Sequence, residues 1–184
     1  MLRTDSSNRQ AAIPRLPEDY YIPRWYAAYT CPRHEKYVTR QAQERELDCF
    51  LPVYHSLRRW KDRRKEIELA LFPGYVFVHI PLKDRLRVLQ IPGVVHLVSF
   101  NGMPAALPDT DIEGLRAGLE KQVCVLPHPY LKVGRKVLVR SGPMRGMQGI
   151  LTRKKDRVRL VVSLELIMRS VAVEVDAADV EPLS

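Results

Sequence analysis

The stretch Leu71-Phe72-Pro73-Gly74-Tyr75-Val76-Phe77-Val78 constrains the fold of this chain more than any other. Pro73-Gly74 is a turn pair: proline presets one backbone angle, and glycine tolerates the positive φ that most side chains resist. Tyr75 to Ile80 is an aromatic and β-branched run of the kind that makes a buried strand. Rings therefore stand on both sides of a fixed bend. Two readings are open, a core strand entered through a tight turn and a turn that also presents a surface.

The segments around it supply partners for such a strand. Trp25 to Thr30 has strand composition. Arg33 to about Leu47 is a run of helix formers preceded by Pro32, with Val38 and Ala42 on one stripe and Glu35 placed to favour the helix dipole. Cys49 to Tyr54 is a short apolar run whose Pro52 predicts an edge strand or a bulge. Leu57 to Glu68 carries Arg58, Arg59, Lys61, Arg63, Arg64 and Lys65, with Trp60 among them, and predicts a protruding hairpin with a basic tip, either solvated or touching nucleic acid. Pro81 to Gln90 predicts a second helix with Leu82, Leu86 and Leu89 facing inward. Val94 to Val98 reads as a strand, Asn101-Gly102 as a type I′ hairpin turn, and Pro104 to Leu107 as the returning strand. Thr110 and Glu113 have capping-box spacing before a helix that puts Ile112, Leu115 and Leu119 on one face.

Residues 122–131, with Pro127 and Pro129, read as an extended linker. Beyond them, Lys136 to Val139, Gly149 to Thr152, Val158 to Val162 and Ser170 to Val175 are short strands at close spacing, the pattern of a small barrel. The expected class is α+β: an N-terminal α/β sandwich with a mainly antiparallel sheet over residues 25–121, then a small all-β barrel over 132–184. Residues 1–24, rich in proline and polar side chains, read as a flexible leader without the apolar core of a signal peptide.

Thirty Lys and Arg against 21 Asp and Glu give a net charge of +9, which favours a polyanion or an acidic protein as partner. Cys31, Cys49 and Cys124 are odd in number and far apart, which fits a reducing cytoplasm rather than a disulfide framework. No run of about 18 apolar residues predicts a membrane span. The histidines His34, His55, His79, His96 and His128 have no metal-ligand spacing, and Gly142, Gly146 and Gly149 fall among strands, where turns and bulges explain them. With no phosphate-binding loop and no nucleophile motif, the chain does not read as an enzyme, and no cofactor is expected.

Trp25-Tyr26, the helix after Pro32, Phe50-Leu51-Pro52, the Phe72-Pro73-Gly74-Tyr75 element, Pro92-Gly93-Val94 and Pro108-Asp109 before a helix resemble, in order and spacing, the N-terminal domain of NusG-type transcription elongation factors. Val133-Gly134 to Val139 and Gly142 to Gly149 resemble the KOW motif that ends these proteins, an SH3-like barrel. The resemblance implies a factor that docks on the large subunits of RNA polymerase, suppresses pausing and termination, and recruits a partner through its KOW domain. Carried over by position, the clamp-binding surface falls on Trp25, Tyr26, Phe72, Pro73, Gly74 and Tyr75. The gate-loop contact falls on the helix start from Asp84 to Arg87. On charge rather than resemblance, the basic hairpin with Arg58, Arg59, Arg63 and Arg64, and Arg85 or Arg87, are the candidates for a second contact, to the other large subunit or to non-template DNA. The partner-binding loop falls on Pro143, Met144, Arg145 and Met147, and its partner is a small-subunit ribosomal protein or the termination factor Rho. Met144 reads equally as a half-exposed turn residue. Ser163 to Val175 looks more like the specialised antiterminators of the RfaH and UpxY kind, some of which refold their C-terminal domain, than like the housekeeping factor. A monomer is expected. The competing reading is an RNA- or ribosome-binding module without polymerase contact.

Overall fold

The computed structural model describes residues 20–60, 63–131, 134–154 and 157–183, so the expected leader up to position 19 lies outside the described residues. In chain order the N-terminal elements are β1 (Arg24–Thr30), α1 (Glu35–Glu44), β2 (Asp48–Phe50), β3 (Val53–Trp60), β4 (Arg63–Ala70) and β5 (Tyr75–Ile80). A 3-10 turn (Leu82–Asp84) then runs into α2 (Arg85–Leu89), followed by β6 (Val94–Leu97), β7 (Ser99–Phe100), β8 (Met103–Pro104), β9 (Ala106–Leu107) and α3 (Asp109–Glu120). The C-terminal elements are β10 (Val125–His128), β11 (Lys136–Val139), β12 (Gln148–Lys154), β13 (Arg157–Leu164), β14 (Arg169–Glu174) and β15 (Val180–Pro182).

The first sheet has the order β2-β5-β1-β6, with antiparallel pairing throughout, and β9 shares the outer edge of β1 with β6. Alternation along β1 and β5 sends Trp25, Ala27 and Phe77 to one face and Tyr26, Ala28, Val76 and Val78 to the other. The second face is sealed by Val38 and Ala42 of α1 and by Val88 of α2. The first face meets Ile112 and Leu115 of α3. Strands β3 and β4 form a separate two-stranded ladder that continues to the pair Trp60↔Arg63, which is the expected hairpin. The Asn101-Gly102 turn joins Phe100 to its partner Met103, with φ of 50° and 80°, as a type I′ turn requires.

The C-terminal strands make one six-stranded antiparallel sheet, in the order β10-β14-β13-β12-β11-β15. Its alternate residues Val137, Val139, Leu160, Val162, Val171 and Val173 are buried in the same cluster as Trp25, Phe72 and Leu115. One apolar core thus runs from the first face of the N-terminal sheet, past α3, into the C-terminal β domain.

Three local expectations give way to tertiary contacts. Leu86 and Leu89 are 57% and 38% exposed, because the short α2 turns Val88 inward instead. Helix α3 starts at Asp109 with Pro108 as its cap and has no side-chain cap, so the capping box does not form. The expected linker is largely sheet: Val125 to His128 pairs with β14, Pro127 being tolerated on this edge strand. The connection from α3 shrinks to Lys121–Cys124, and it is structured. Gln122 takes a φ of 60°, its N–H donates to Leu119 O at 3.0 Å, and Val123 N–H donates to Gly118 O at 2.9 Å. That pairing is a Schellman motif on a residue other than glycine.

Candidate docking face and interdomain latch

The Phe72–Tyr75 turn is held from three sides. Tyr75 N–H donates to Phe72 O at 3.1 Å across the turn, and Gly74 has a φ of 85°. Proline followed by such a glycine is the type II arrangement. Thr30 N–H donates to Gly74 O at 2.8 Å, and Gly74 N–H donates to the Glu35 carboxylate at 2.7 Å. A Cβ on Gly74 would lie 3.3 Å from the Tyr29 ring. Glu35, expected to serve the dipole of α1, is buried and clamps the turn to the start of that helix.

The six residues carried over as a docking surface do not lie together. Trp25 is 0% exposed: its ring stacks on His79 at 5.0 Å between centroids, the Arg116 guanidinium lies 5.3 Å away, and Nε1 donates to Glu113 at 2.8 Å. Tyr26 is buried on the opposite face of the sheet, under α1 and α2. Phe72 is 1% exposed and meets the edge of Phe77 at 5.5 Å. Only Pro73 is exposed, with Gly74 and Tyr75 half-buried beside it. The register Tyr29↔Tyr75 brings two further rings to this end of the sheet, Tyr29 at 5.4 Å from Tyr75 and the exposed His96 at 5.2 Å from Tyr29. Pairing the two strands by register identifies Tyr29, whereas reading each strand alone does not.

The basic candidates also divide. At the hairpin tip the backbone pairs Arg58↔Lys65 and Arg59↔Arg64; the side chains of Arg58, Arg59, Arg63 and Arg64 lie outside those the structure describes. Lys65 is exposed. Arg85 donates to Leu82 O at 3.3 Å and its guanidinium lies 6.0 Å from the Tyr20 ring. Arg87 donates to Arg45 O at 2.6 Å, and Arg45 in turn donates to Arg87 O at 3.3 Å. These two arginines brace their own domain.

The loop 142–147 is turned against α3. Pro143 and Arg145 are exposed, but Met144 and Met147 are 3% and 0% exposed. A Cβ placed on Gly114 would lie 2.5 Å from Sδ of Met147, and one on Gly118 would lie 2.9 Å from Sδ of Met144. Two glycines one helical turn apart thus receive two thioethers, an adaptable group for an irregular seat. The half-exposed reading of Met144 is therefore replaced: it is buried, and the cause is the bare surface of α3.

Beside this contact, a cleft of about 640 Å³ is lined by Thr110 and Asp111 from the N-terminal side and by Lys136, Ser163 and Glu165 from the C-terminal side, with apolar residues of both between them. Burial pushes the Asp111 carboxyl up to about 6. A carboxyl raised above its unfolded value of about 3.9 binds more protons folded than unfolded, so its contribution is fully present below about pH 4 and is lost as pH rises through 6. Asp111→Asn is expected to raise the melting temperature at pH 8 by about 2–4 °C for a gain on the order of 1 kcal/mol, discounted for the water that still reaches the group. Thermal melts at pH 4 and pH 8 check this; an equal shift at both would assign the effect elsewhere.

Among the described residues, no group of three or more His, Cys, Asp or Glu side chains could hold a metal. Cys49, whose thiol is raised by burial and then by Asp48 against a smaller opposing effect of Arg116, is a packed side chain rather than a nucleophile. The family model described as transcription termination factor nusG matches residues 23–116, about half of the chain and all of its N-terminal sheet. The chain belongs to the NusG family.

Among its NusG relatives, the transcription termination/antitermination protein of Rickettsia prowazekii is 25% identical over 168 residues, covering 84% of this chain and 88% of the relative. The same protein of Escherichia coli O6:H1 is 29% identical over 173 residues, covering 86% and 95%. A solved structure titled "Domain interaction in Thermotoga maritima NusG" is similar in fold, with a TM-score of 0.50 at 23% identity and coverage of 88% and 98%. This chain is accordingly a NusG-family transcription termination/antitermination factor, and its relatives are transcription factors rather than enzymes. No helix among the described residues is long and apolar enough to cross a membrane.

Proposed function

We propose that this NusG-family factor binds the large subunits of RNA polymerase through the Pro73–Tyr75 end of its N-terminal sheet, suppresses pausing and termination, and recruits a partner through a C-terminal KOW domain. The observation that carries the reading is the exposed Pro73 beside the partly exposed rings of Tyr29 and Tyr75, on a turn clamped by Glu35. Rings held in place lose little entropy on docking, and burying one contributes about 1.5–3 kcal/mol. The basic hairpin adds a contact to non-template DNA, and the factor works as a cytoplasmic monomer. In the closed arrangement Met144 and Met147 are out of reach. That arrangement is a resting form, and the C-terminal domain moves aside before a ribosomal protein or Rho can use the loop. The role is that of a specialised operon-bound paralogue, a reading that rests on the residues from Ser163 to Val175.

Polymerase capture separates these statements. Tyr29→Ala and Tyr75→Ala are each expected to weaken binding roughly tenfold to a hundredfold, with folding intact by circular dichroism. Changing Arg58, Arg59, Arg63 and Arg64 to Ala is expected to flatten the salt dependence of binding, by about 0.9 in the logarithmic slope for each phosphate no longer neutralised. Wild-type capture by both ring variants would overturn the docking face. Intact RNA affinity without any polymerase capture would favour an RNA-binding module instead.

A further inference from the structure

We infer that Met144 and Met147 form an oxidisable latch: conversion of their thioethers to sulfoxides by a peroxide holds the C-terminal β domain away from α3. The inference goes beyond the proposed polymerase contact and does not depend on it.

The seat is tight on its helix side. Both side chains are buried, and each sulfur occupies space that would lie within 3 Å of a Cβ on the facing glycine of α3. An oxygen added on that side of either sulfur must displace the helix or the loop. It also brings a strong acceptor into the apolar cluster that holds both side chains, and burying a polar group without a partner is unfavourable. The chemistry is a two-electron oxygen transfer. The thioether sulfur attacks one oxygen of hydrogen peroxide and the S–O bond forms as the O–O bond breaks. The departing hydroxide takes the proton of the transferred oxygen, so peroxide is reduced to water and sulfur is oxidised to sulfoxide. The cleft provides an approach, since Gly146 and Gln148, on either side of Met147, line it together with Asp111, one turn before Gly114. A brief opening of the latch admits a molecule the size of peroxide, and oxidation then prevents closure. Met103 and Met168, 51% and 62% exposed, are internal references.

The test treats the full chain with hydrogen peroxide, maps sulfoxides by mass spectrometry over time, and follows the radius of gyration by small-angle X-ray scattering. Met103 and Met168 are expected to oxidise first, with Met144 and Met147 at least tenfold slower. Expansion is expected to track the second pair and not the first, and to reverse with methionine sulfoxide reductases. Met144→Leu with Met147→Leu, which nearly conserves volume, is expected to stay compact in peroxide. A chain carrying both latch sulfoxides that scatters like the untreated protein overturns the inference. So does a Leu variant that expands as the wild type does, or a latch pair that resists peroxide even after the reference pair is fully oxidised. The reductase arm uses only the wild-type chain, so the inference can still be overturned even if the double variant does not fold.

Discussion

Trp25→Ala should lower the stability of the chain by about 3–5 kcal/mol, the usual cost of deleting a large ring from a core. The ring is 0% exposed and contacts His79, Phe50 and Arg116, while its Nε1 holds Glu113. Truncation leaves a cavity on the face that joins the N-terminal sheet to α3, and it takes the indole donor away from the Glu113 carboxylate. Urea unfolding followed by far-ultraviolet circular dichroism measures the effect, and Tyr75→Ala, at a half-buried position, is expected to lose much less. The difference matters for any partner assay: loss of polymerase capture by a Trp25 variant reports a damaged sheet, whereas the same loss at Tyr29 or Tyr75 reports a contact. A Trp25→Ala protein with a wild-type midpoint would place the ring outside the core after all.

The second large effect is expected from Gly114→Leu combined with Gly118→Leu. On the N-terminal side, each change should favour the helix, since glycine in a helix interior costs about 0.8–1 kcal/mol relative to good helix formers. At the interface each is an overpacking change of about 1–3 kcal/mol, because the space of the new side chain is filled by Met147 or Met144. The two effects have opposite signs at different places, so the predicted outcome is a chain whose parts remain folded while the methionine loop and α3 separate. Methyl spectra of protein labelled at methionine give the readout. The Met144 and Met147 signals should move to positions typical of solvated methionine, with Met103 and Met168 unchanged. Unmoved latch signals would mean that the loop repacks over the larger helix face and that the glycines are not needed for it.

Much of the fold was legible in the residues, and the reason differs from element to element. Strands β1 and β5 and the Asn101-Gly102 turn follow from local chemistry that the tertiary structure leaves alone. Their β-branched and aromatic runs and their turn glycines have one low-energy solution. Glu113 shows the opposite case: its spacing from Thr110 satisfies the capping box, but the Trp25 indole offers a partner across the fold, and the helix begins without the cap. Residues 125–128 look like a linker because Pro127 and Pro129 break helices, yet an edge strand needs only part of its ladder. The docking residues were harder still. Trp25 and Tyr26 are neighbours in sequence and opposites in space, as any adjacent pair on a strand must be. The glycines of α3 carry no signal on their own, because a small residue in a helix shows its purpose only when the side chains that fill its place are known.

The four-residue connection from α3 to β10 has a consequence for binding strength. Fully extended, at about 3.5 Å per residue, it reaches roughly 14 Å, and it is fastened at one end by Val123 N–H to Gly118 O and at the other by Glu174 N–H to Cys124 O. A tether so short keeps the methionine loop at an effective concentration on the order of 1 mM or more around its seat. At that concentration, a contact with an intermolecular Kd of only about 10 µM would favour the closed form about a hundredfold. Any outside ligand for either surface competes against this built-in rival. Weak encounters are filtered out, and a ligand that engages both exposed surfaces together displaces the rival once and gains twice.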